Sequence, residues 1–400
     1  MTSEPRSGVE VISLGCRLNL SESEAMRAML AAGDGGDVVV INSCAVTAEA
    51  LRQTRQAIRR ARRARPDARL LVTGCAAEIE REALGAMAEV DGLIPNAAKL
   101  DPRAWNLPAA TVAPAPPLGH TRAFVAVQNG CDHACTFCVI PQGRGPSRSR
   151  AIPDVLAEIR ALRDGGVAEV VLTGVDLTSW GHDLTPALRL GDLVAAILRG
   201  VPDLPRLRLS SVDGIEIDPL LFDLISDEAR VMPHLHLSLQ HGDDLMLKRM
   251  KRRHARADAL DLVARLRARR PGIAIGADLI AGFPTEDEAA HAANLSIIAE
   301  LDIVHGHIFP YSPRPGTPAA RMPQVPRATA LARAADCRAA VATQRAVWLE
   351  RLIGTPHMVL AERDGTGHAP NFARFALPDG VAAGRLIELT PTRICEGLLA

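Results

Sequence analysis

Short apolar runs alternate with longer amphipathic stretches over most of the chain. In the first hundred residues, Val9–Leu14, Asp37–Ile41 and Arg69–Val72 are brief apolar runs that predict buried strands. Ser21–Leu30 and Ala48–Arg65 carry the mixed pattern of helices between them. Alternating β and α units make a parallel sheet whose strand carboxyl ends share one edge. A second set of runs follows: Ala123–Val127, Glu169–Leu172, Arg206–Ser210, His234–Leu239, Ile273–Ile280 and Ile303–Phe309. The clearest helices between them are predicted at Pro153–Asp164, Asp244–Arg269 and Asp287–Glu300. Six such units predict a parallel barrel, or a partial one, with its chemistry at the strand carboxyl ends. A helix over Pro326–Leu352 then leads to short β runs, His357–Ala361 and Arg385–Leu389, among Gly and Pro turns.

The predicted class is α/β. It comprises an N-terminal parallel-sheet domain (residues 1–105), a barrel domain (121–345) and a small β domain (346–400). Residues 106–120 belong to the Ala- and Pro-rich stretch WNLPAATVAPAPPLG, read as a semi-rigid linker between Asp101 and Gly119. Composition narrows the function classes. The 46 basic and 46 acidic residues balance, so bulk charge does not announce nucleic acid. Aromatic residues at 3% argue against an extended base-stacking platform. The start, MTSEPRSGVEV, lacks a signal peptide's apolar core, and no apolar stretch is long enough to span a bilayer. A cytoplasmic location without a membrane partner is expected. Eight cysteines then point to metal or catalysis rather than disulfides.

Cys131, Cys135 and Cys138 form a C-x3-C-x2-C run just after the first strand of the predicted barrel. Full ligation of a four-iron cube takes four protein ligands; three thiolates leave one iron open for a small molecule. By spacing alone a three-ligand zinc site stays open as an alternative. The three N-terminal strands each run into a cysteine, as Gly15-Cys16, Asn42-Ser43-Cys44 and Thr73-Gly74-Cys75. Parallel pairing brings such strand ends together, which points to a second three-cysteine site; three buried cysteines acting as small apolar residues are the alternative. Cys337 and Cys395 have no partners at ligand spacing.

The run GCDHACTFCVIPQGRGPSRSR resembles the radical S-adenosylmethionine superfamily. With GCRLN, NSCAVT and TGCAAE ahead of it, the chain resembles the methylthiotransferases, whose domain order is an N-terminal cysteine domain, a radical barrel and a small β domain called TRAM. LTGVDLTSWG, LRLSSVDGIEID, MPHLHLSLQHGDDLMLKRMKRRH and FPYSPRPGTPAARMP are similar to the subgroup acting on N6-threonylcarbamoyladenosine at position 37 of tRNA. The resemblance implies two [4Fe-4S] clusters, on Cys131/Cys135/Cys138 and on Cys16/Cys44/Cys75. It implies two S-adenosylmethionine molecules per turnover: one reductively cleaved to a radical that attacks adenine C2, one supplying the methyl group. A flavodoxin- or ferredoxin-like electron donor and a sulfur source are implied partners.

By the same resemblance Phe137 packs on the cofactor's adenine. Thr173 and Gly174 stand where the superfamily has a glycine pair against the methionine amino group, although TGVD departs from that spelling. Ser210, Ser238 and Gln240 bind ribose or carboxylate, and Gly276 and Asp278 belong to the GADLIAG segment lining the adenine. Taken without the resemblance, these glycines and serines read as ordinary turns and caps. The C-terminal stretch resembles a shortened TRAM domain with few basic residues.

Asp132 and His133 read as solvated loop residues, with ligands or bases as the alternative, and His234 and His236 share a strand face, lining the barrel or serving catalysis. No catalytic proton-transfer residue is assigned. Two basic clusters, Arg52–Arg69 and Lys248–Arg253, read either as solvated helix faces or as phosphate patches. With the resemblance, Arg59, Arg62, Arg63, Lys248, Arg249, Lys251, Arg252 and Arg253 are expected to grip the tRNA anticodon stem-loop. Alternative targets of the same chemistry are isopentenyladenosine 37 of tRNA and an aspartate of a ribosomal protein. A non-catalytic iron–sulfur RNA-binding regulator is the alternative from another class.

Overall fold

The computed structural model describes residues 8–33, 36–108 and 121–400, so most of the expected linker at 106–120 lies outside the described residues. The first sheet is parallel, in the order β1 (Val9–Ser13), β2 (Val38–Ser43), β3 (Arg69–Gly74), β4 (Gly92–Leu93). Its central strand β2 is buried throughout, which is why it reads as a continuous apolar run rather than an alternating one. One face carries Val39, Ile41, Leu70 and Val72 against α2 (Ala48–Ala64), α3 (Cys75–Ile79) and α4 (Arg81–Gly85). The other carries Val38, Val40 and Leu71 against α1 (Arg17–Ala32) and Trp105. The order therefore extends into the segment read as linker. Asp101 caps a single turn over Pro102–Trp105, and the buried Trp105 indole donates to the Lys99 carbonyl at 2.9 Å.

The second domain opens with β5 (Arg122–Ala126), followed by a small hairpin of β6 (Gln128–Asn129) and β7 (Arg148–Ser149) with α5 (Ile140–Arg144) inside it. Parallel strands β5, β8 (Glu169–Thr173) and β9 (Arg206–Leu209) form one sheet. Parallel strands β10 (Ser211–Val212), β11 (His234–Gln240), β12 (Ala274–Ala281) and β13 (Ile303–Pro310) form another. Ser210 alone separates β9 from β10, and a Leu207–Val231 bridge spans the seam, so the strands curve as one open six-unit barrel. Outside lie α6 (Ile152–Asp164), α7 (Leu190–Gly200), α8 (Pro219–Asp227), α9 (Asp244–Arg249), α10 (Arg256–Arg269), α11 (Glu288–Glu300) and α12 (Arg327–Glu350).

Alternation along the barrel strands sets two opposed faces. Val125, Val170, Leu172, Leu207, Leu235, Leu237, Ile275, Ala277 and Ile303 face the helices in the main core. Their neighbours, including Arg122, Glu169, Arg208, His234, His236, Asp278 and His307, occupy the opposite, lumen face. Helix α1 of the first domain packs on β5.

The single helix expected over Asp244–Arg269 is two. Met250 ends α9, Lys251 takes φ 57, and α10 restarts at Arg256, so the chain dips inward to bury His254. The intervening residues favour helices, so periodicity gave no sign of the break. The last domain is a six-stranded sheet of β14 (His357–Ala361), β15 (Thr366–His368), β16 (Arg374–Ala376), β17 (Leu386–Leu389), β18 (Ile394–Cys395) and β19 (Leu398–Leu399). It packs on Trp348, Leu349, Ala274 and Val304. Among the described residues no helix is long and apolar enough to cross a membrane.

Candidate functional site

Six cysteines stand in two groups at strand carboxyl ends. Cys16 caps α1 just beyond β1, Cys44 follows β2 directly, and Cys75 opens α3 immediately after β3. Since β1, β2 and β3 are adjacent and parallel, the three ends meet, with Cys16 and Cys75 within electrostatic reach of Cys44. Two glycines allow this approach. A Cβ on Gly15 would lie 2.7 Å from Cys44 Sγ, while Gly74 takes φ 91 against the Ser43 backbone. Asn19 ties the ends together, donating to the carbonyls of Leu14 (2.7 Å) and Ser43 (3.0 Å).

The other group is local. Gly130, at φ 76, lies so close to Pro146 that a Cβ would collide with its carbonyl, and the Cys131–Cys138 loop begins there. The Cys138 N–H closes on the Cys135 carbonyl at 3.2 Å. Backbone N–H groups of His133 and Ile140 donate to Cys131 Sγ and Cys138 Sγ, both at 3.4 Å, and Arg252 Nη1 lies 3.8 Å from Cys135 Sγ.

These donor sets fit iron–sulfur ligation. All eight cysteines are free thiols. Burial pushes the Cys131 thiol up to about 12, and those of Cys138 and Cys44 up to about 11. Such thiols stay protonated until a bound metal removes the proton, as coordination does. Donors aimed at the sulfurs, with Arg252 beside one triad and Arg144 beside the other, suit groups of net negative charge. His133, Asp176 and Cys131 also bring ligand atoms within 4.8 Å of one another, but His133 Nε2 and Asp176 Oδ2 already pair at 2.7 Å.

The two triads are clamped together by charges that the sequence did not reveal. Arg144 of α5 makes a bidentate pair with Glu22 of α1, both bonds at 2.9 Å, and also bonds Asn19 and Asn129. Lys99 reaches the same carboxylate at 2.6 Å; Glu22 and Lys99 are 2% and 1% exposed. Burial alone would neutralise Glu22, but the charges of Lys99 and Arg144 outweigh it and hold its pKa low. Asn96 bonds the Gly143 carbonyl at 2.6 Å, and a Cβ on Gly143 would sit 3.2 Å from Cys75 Cβ. Helix α5 thus lies directly on the first domain's cysteine edge, and Cys75 lies within electrostatic reach of Cys138.

The residues expected around a cofactor spread over the barrel mouth and lumen. Phe137 stands edge-on to Phe283 with ring centroids 6.4 Å apart. Thr173 ends β8, and at Gly174 a Cβ would meet Gln128 Oε1 at 2.8 Å. Ser210 occupies the β9–β10 seam; Ser238 and Gln240 close β11, with Gln240 at φ 70. Gly276 leaves room for the His236 ring. Asp278 accepts from His236 Nε2 and His307 Nδ1, both at 3.0 Å. Burial would raise its pKa, yet those two bonds hold it well below the usual carboxylate range. His234 sits among aromatic rings, 5.0 Å from that of Phe372, with neither nitrogen hydrogen-bonded and its pKa pushed down by burial.

Other expectations need correction. His133 is not a solvated loop residue: hydrogen bonds to Asp176, then Glu216, raise its pKa to about 10. Asp132 is exposed and accepts from the Ser147 N–H at 3.0 Å. Much of the proposed RNA grip is internal wiring. Arg62 holds the carbonyls of Glu89, Pro66 and Ala68 and the Asp91 carboxylate. Arg252 is drawn to Asp213 and the Ser238 carbonyl; Arg253 is drawn to Glu216 and Asp213. Arg249 bonds Thr285 at 2.6 Å, and Arg59 pairs with Glu89 at 3.7 Å. Arg63, Lys248 and Lys251 remain exposed.

Comparison with known proteins agrees with this geometry. Residues 125–295 match the profile of the radical SAM superfamily, and residues 8–95 match that of the uncharacterized protein family UPF0004. The chain is 41% identical over 404 residues to threonylcarbamoyladenosine tRNA methylthiotransferase MtaB of Rickettsia prowazekii, spanning 98% of this chain and 96% of that protein. It is 35% identical to tRNA-2-methylthio-N(6)-dimethylallyladenosine synthase of Anaeromyxobacter dehalogenans, over 82% of this chain and 78% of that one. Among solved structures, the radical S-adenosylmethionine methyltransferase TsrM of Kitasatospora setae superposes with a TM-score of 0.53 at 18% identity. The match covers 71% of this chain and 64% of that one, a likeness of fold alone.

Proposed function

This chain belongs to the radical S-adenosylmethionine tRNA methylthiotransferases, and from that premise we propose that its target is N6-threonylcarbamoyladenosine at position 37. The product is then 2-methylthio-N6-threonylcarbamoyladenosine. The observation that carries the choice of target is 41% identity running through 98% of the chain to a relative named for that nucleoside, against 35% over 82% for one named for dimethylallyladenosine.

In this reading Cys131, Cys135 and Cys138 hold the [4Fe-4S] cluster, leaving one iron open for S-adenosylmethionine. Cys16, Cys44 and Cys75 hold a second cluster at the first sheet's edge. Bound there, the clusters and cofactor supply the one-electron chemistry that opens an unreactive C–H bond and the sulfur that replaces the hydrogen. The chain's own residues position and enclose these groups. The Arg144–Glu22–Lys99 clamp fixes the spacing between triads, and Gly174, Ser238, Gly276 and Asp278 are the barrel residues we assign to the cofactor. Two S-adenosylmethionine molecules per turnover, an external electron donor and a sulfur source complete the scheme.

Nucleoside analysis tests it. Deleting the gene should remove 2-methylthio-N6-threonylcarbamoyladenosine from bulk tRNA and leave its unthiolated precursor. The wild-type gene should restore it, and a Cys131→Ala copy should not. Loss of the isopentenyl product, or of a methylthio group on a ribosomal protein, would assign a different target.

A further inference from the structure

Three guanidinium groups surround one aromatic ring inside the barrel. Phe372, in the loop between β15 and β16, has the Cζ atoms of Arg208, Arg122 and Arg17 at 4.8, 5.1 and 5.9 Å from its centroid. Two of the three have a carboxylate partner, Glu169 being shared with Arg206 at 3.4 Å. Arg208 Nε binds the Glu169 carboxylate at 2.7 Å, and Arg122 Nε binds Glu362 at 3.0 Å. Arg17 has no hydrogen bond or ion pair among the described residues. It lies between the rings of Phe372 and Phe124, the latter at 5.8 Å.

An unpaired, half-buried cation is a poor structural element. The charges of Arg122 and Arg208 oppose it, and the helping carboxylates, Glu169 and Asp278, act only at longer range. The surroundings are nevertheless built to hold it: Phe372 keeps φ 72, a conformation that bulky L-residues rarely adopt. Two guanidinium–carboxylate pairs and one guanidinium without its carboxylate describe a receptor for one more carboxylate.

Position says which one. Arg122 and Glu169 begin β5 and β8, so the ring of charges lies toward the strands' amino ends. The Cys131–Cys138 loop lies at the opposite, carboxyl end, where a cofactor that chelates iron keeps its own carboxylate. Arg17 is also the residue after Cys16. An anion on Arg17 therefore sits deeper in the lumen than the cofactor, held by the side chain that follows Cys16 and reaches Phe124 and Phe372.

We infer that Arg17 receives the carboxylate of the N6-threonylcarbamoyl substituent and is the residue by which this enzyme selects that nucleoside over an uncharged one. The inference rests on the target proposed above. A dimethylallyl group offers Arg17 nothing and leaves the half-buried cation unpaired, whereas a carboxylate completes the third pair.

The test uses the reconstituted full-length enzyme under anaerobic conditions and three synthetic anticodon stem-loops. Position 37 carries N6-threonylcarbamoyladenosine, its carboxamide counterpart or isopentenyladenosine. The wild type should favour carboxylate over carboxamide by about 10- to 100-fold in kcat/KM, the range of a charge-assisted hydrogen bond. Arg17→Gln should lower the carboxylate substrate alone and bring that ratio to about one. Arg17→Lys keeps the charge without the fork and should retain an intermediate ratio. It also serves if Arg17→Gln loses iron or fails to fold. A ratio that persists in both variants, or an equal loss on carboxylate and carboxamide, overturns the role of Arg17 and leaves the target standing. A wild type that thiolates only the isopentenyl stem-loop overturns the target, and the inference with it.

Discussion

The two cysteine triads are assembled by opposite routes. Cys131, Cys135 and Cys138 lie in one loop, and their arrangement needs only a turn after β6 and a few backbone N–H groups. Cys16, Cys44 and Cys75 come from three strands and meet only because a parallel sheet aligns their ends. One site is written locally and the other by topology. The local site should survive damage to the first sheet, while the topological one should fail wherever sheet register or domain docking fails.

The largest effect should come from removing the ligands. Under the proposed assignment, Cys131→Ala/Cys135→Ala/Cys138→Ala lowers iron from about eight to about four atoms per chain and abolishes both cofactor cleavage and RNA thiolation. Cys16→Ala/Cys44→Ala/Cys75→Ala loses the same iron and all thiolated RNA, but still cleaves S-adenosylmethionine. Iron counting with 5′-deoxyadenosine and nucleoside assays separates the two. Equal loss of cleavage in both variants would mean that the triads form a single unit.

The clamp between them comes next. Glu22→Ala leaves Arg144 and Lys99 buried without their carboxylate, which costs on the order of 3–5 kcal/mol. Thermal unfolding should show a clear drop in Tm, and sulfur transfer should fall further than cofactor cleavage. An unchanged Tm would remove the clamp from the account.

A smaller effect is expected from Gly74 and Gly130, the positive-φ glycines packed closely beside each triad. An alanine at Gly74 strains a backbone at φ 91 and presses on Ser43, the neighbour of Cys44; at Gly130 it presses on Pro146. Each strained position costs about 1–3 kcal/mol. Gly74→Ala should lose the topological site selectively, and Gly130→Ala the local one, read by iron content and by cofactor cleavage.

This contrast also explains what could be read from sequence. The six cysteines, the parallel sheet and the six barrel units follow from alternation and spacing, because strand ends carry their residues to a predictable edge. Pairings between distant charges do not follow. Eight arginines between Arg52 and Arg69 look like a phosphate patch, yet Arg62 and Arg65 are spent on Asp91, Glu10 and Asp37. Lys248–Arg253 looks like the continuation of a helix, yet Lys251 turns left-handed and sends Arg252 and Arg253 to Asp213. Glu22, Lys99 and Arg144 carry no local signal, since each becomes meaningful only when α1 meets α5.

The smallest effect concerns what crosses both triads. Lys248 and Lys251 flank the local site, whereas Arg63 stands at the carboxyl end of α2, on the amino-end edge of the first sheet and away from its cysteines; all three are exposed, in contrast to the buried or paired basic residues around them. An anticodon stem-loop that presents its base between the triads has phosphates on both flanks. Each exposed lysine then contributes one counterion-releasing contact. Lys248→Ala and Lys251→Ala should each weaken tRNA binding modestly and reduce the slope of log affinity against log salt by about one, without lowering Tm, and Arg63→Ala should change neither binding nor slope. Arg62→Ala is the counterpart: it should lower Tm, because three carbonyls and Asp91 lose their donor, and leave the salt slope alone. If Arg63→Ala changes the slope as well, the RNA extends over the first domain as far as the carboxyl end of α2.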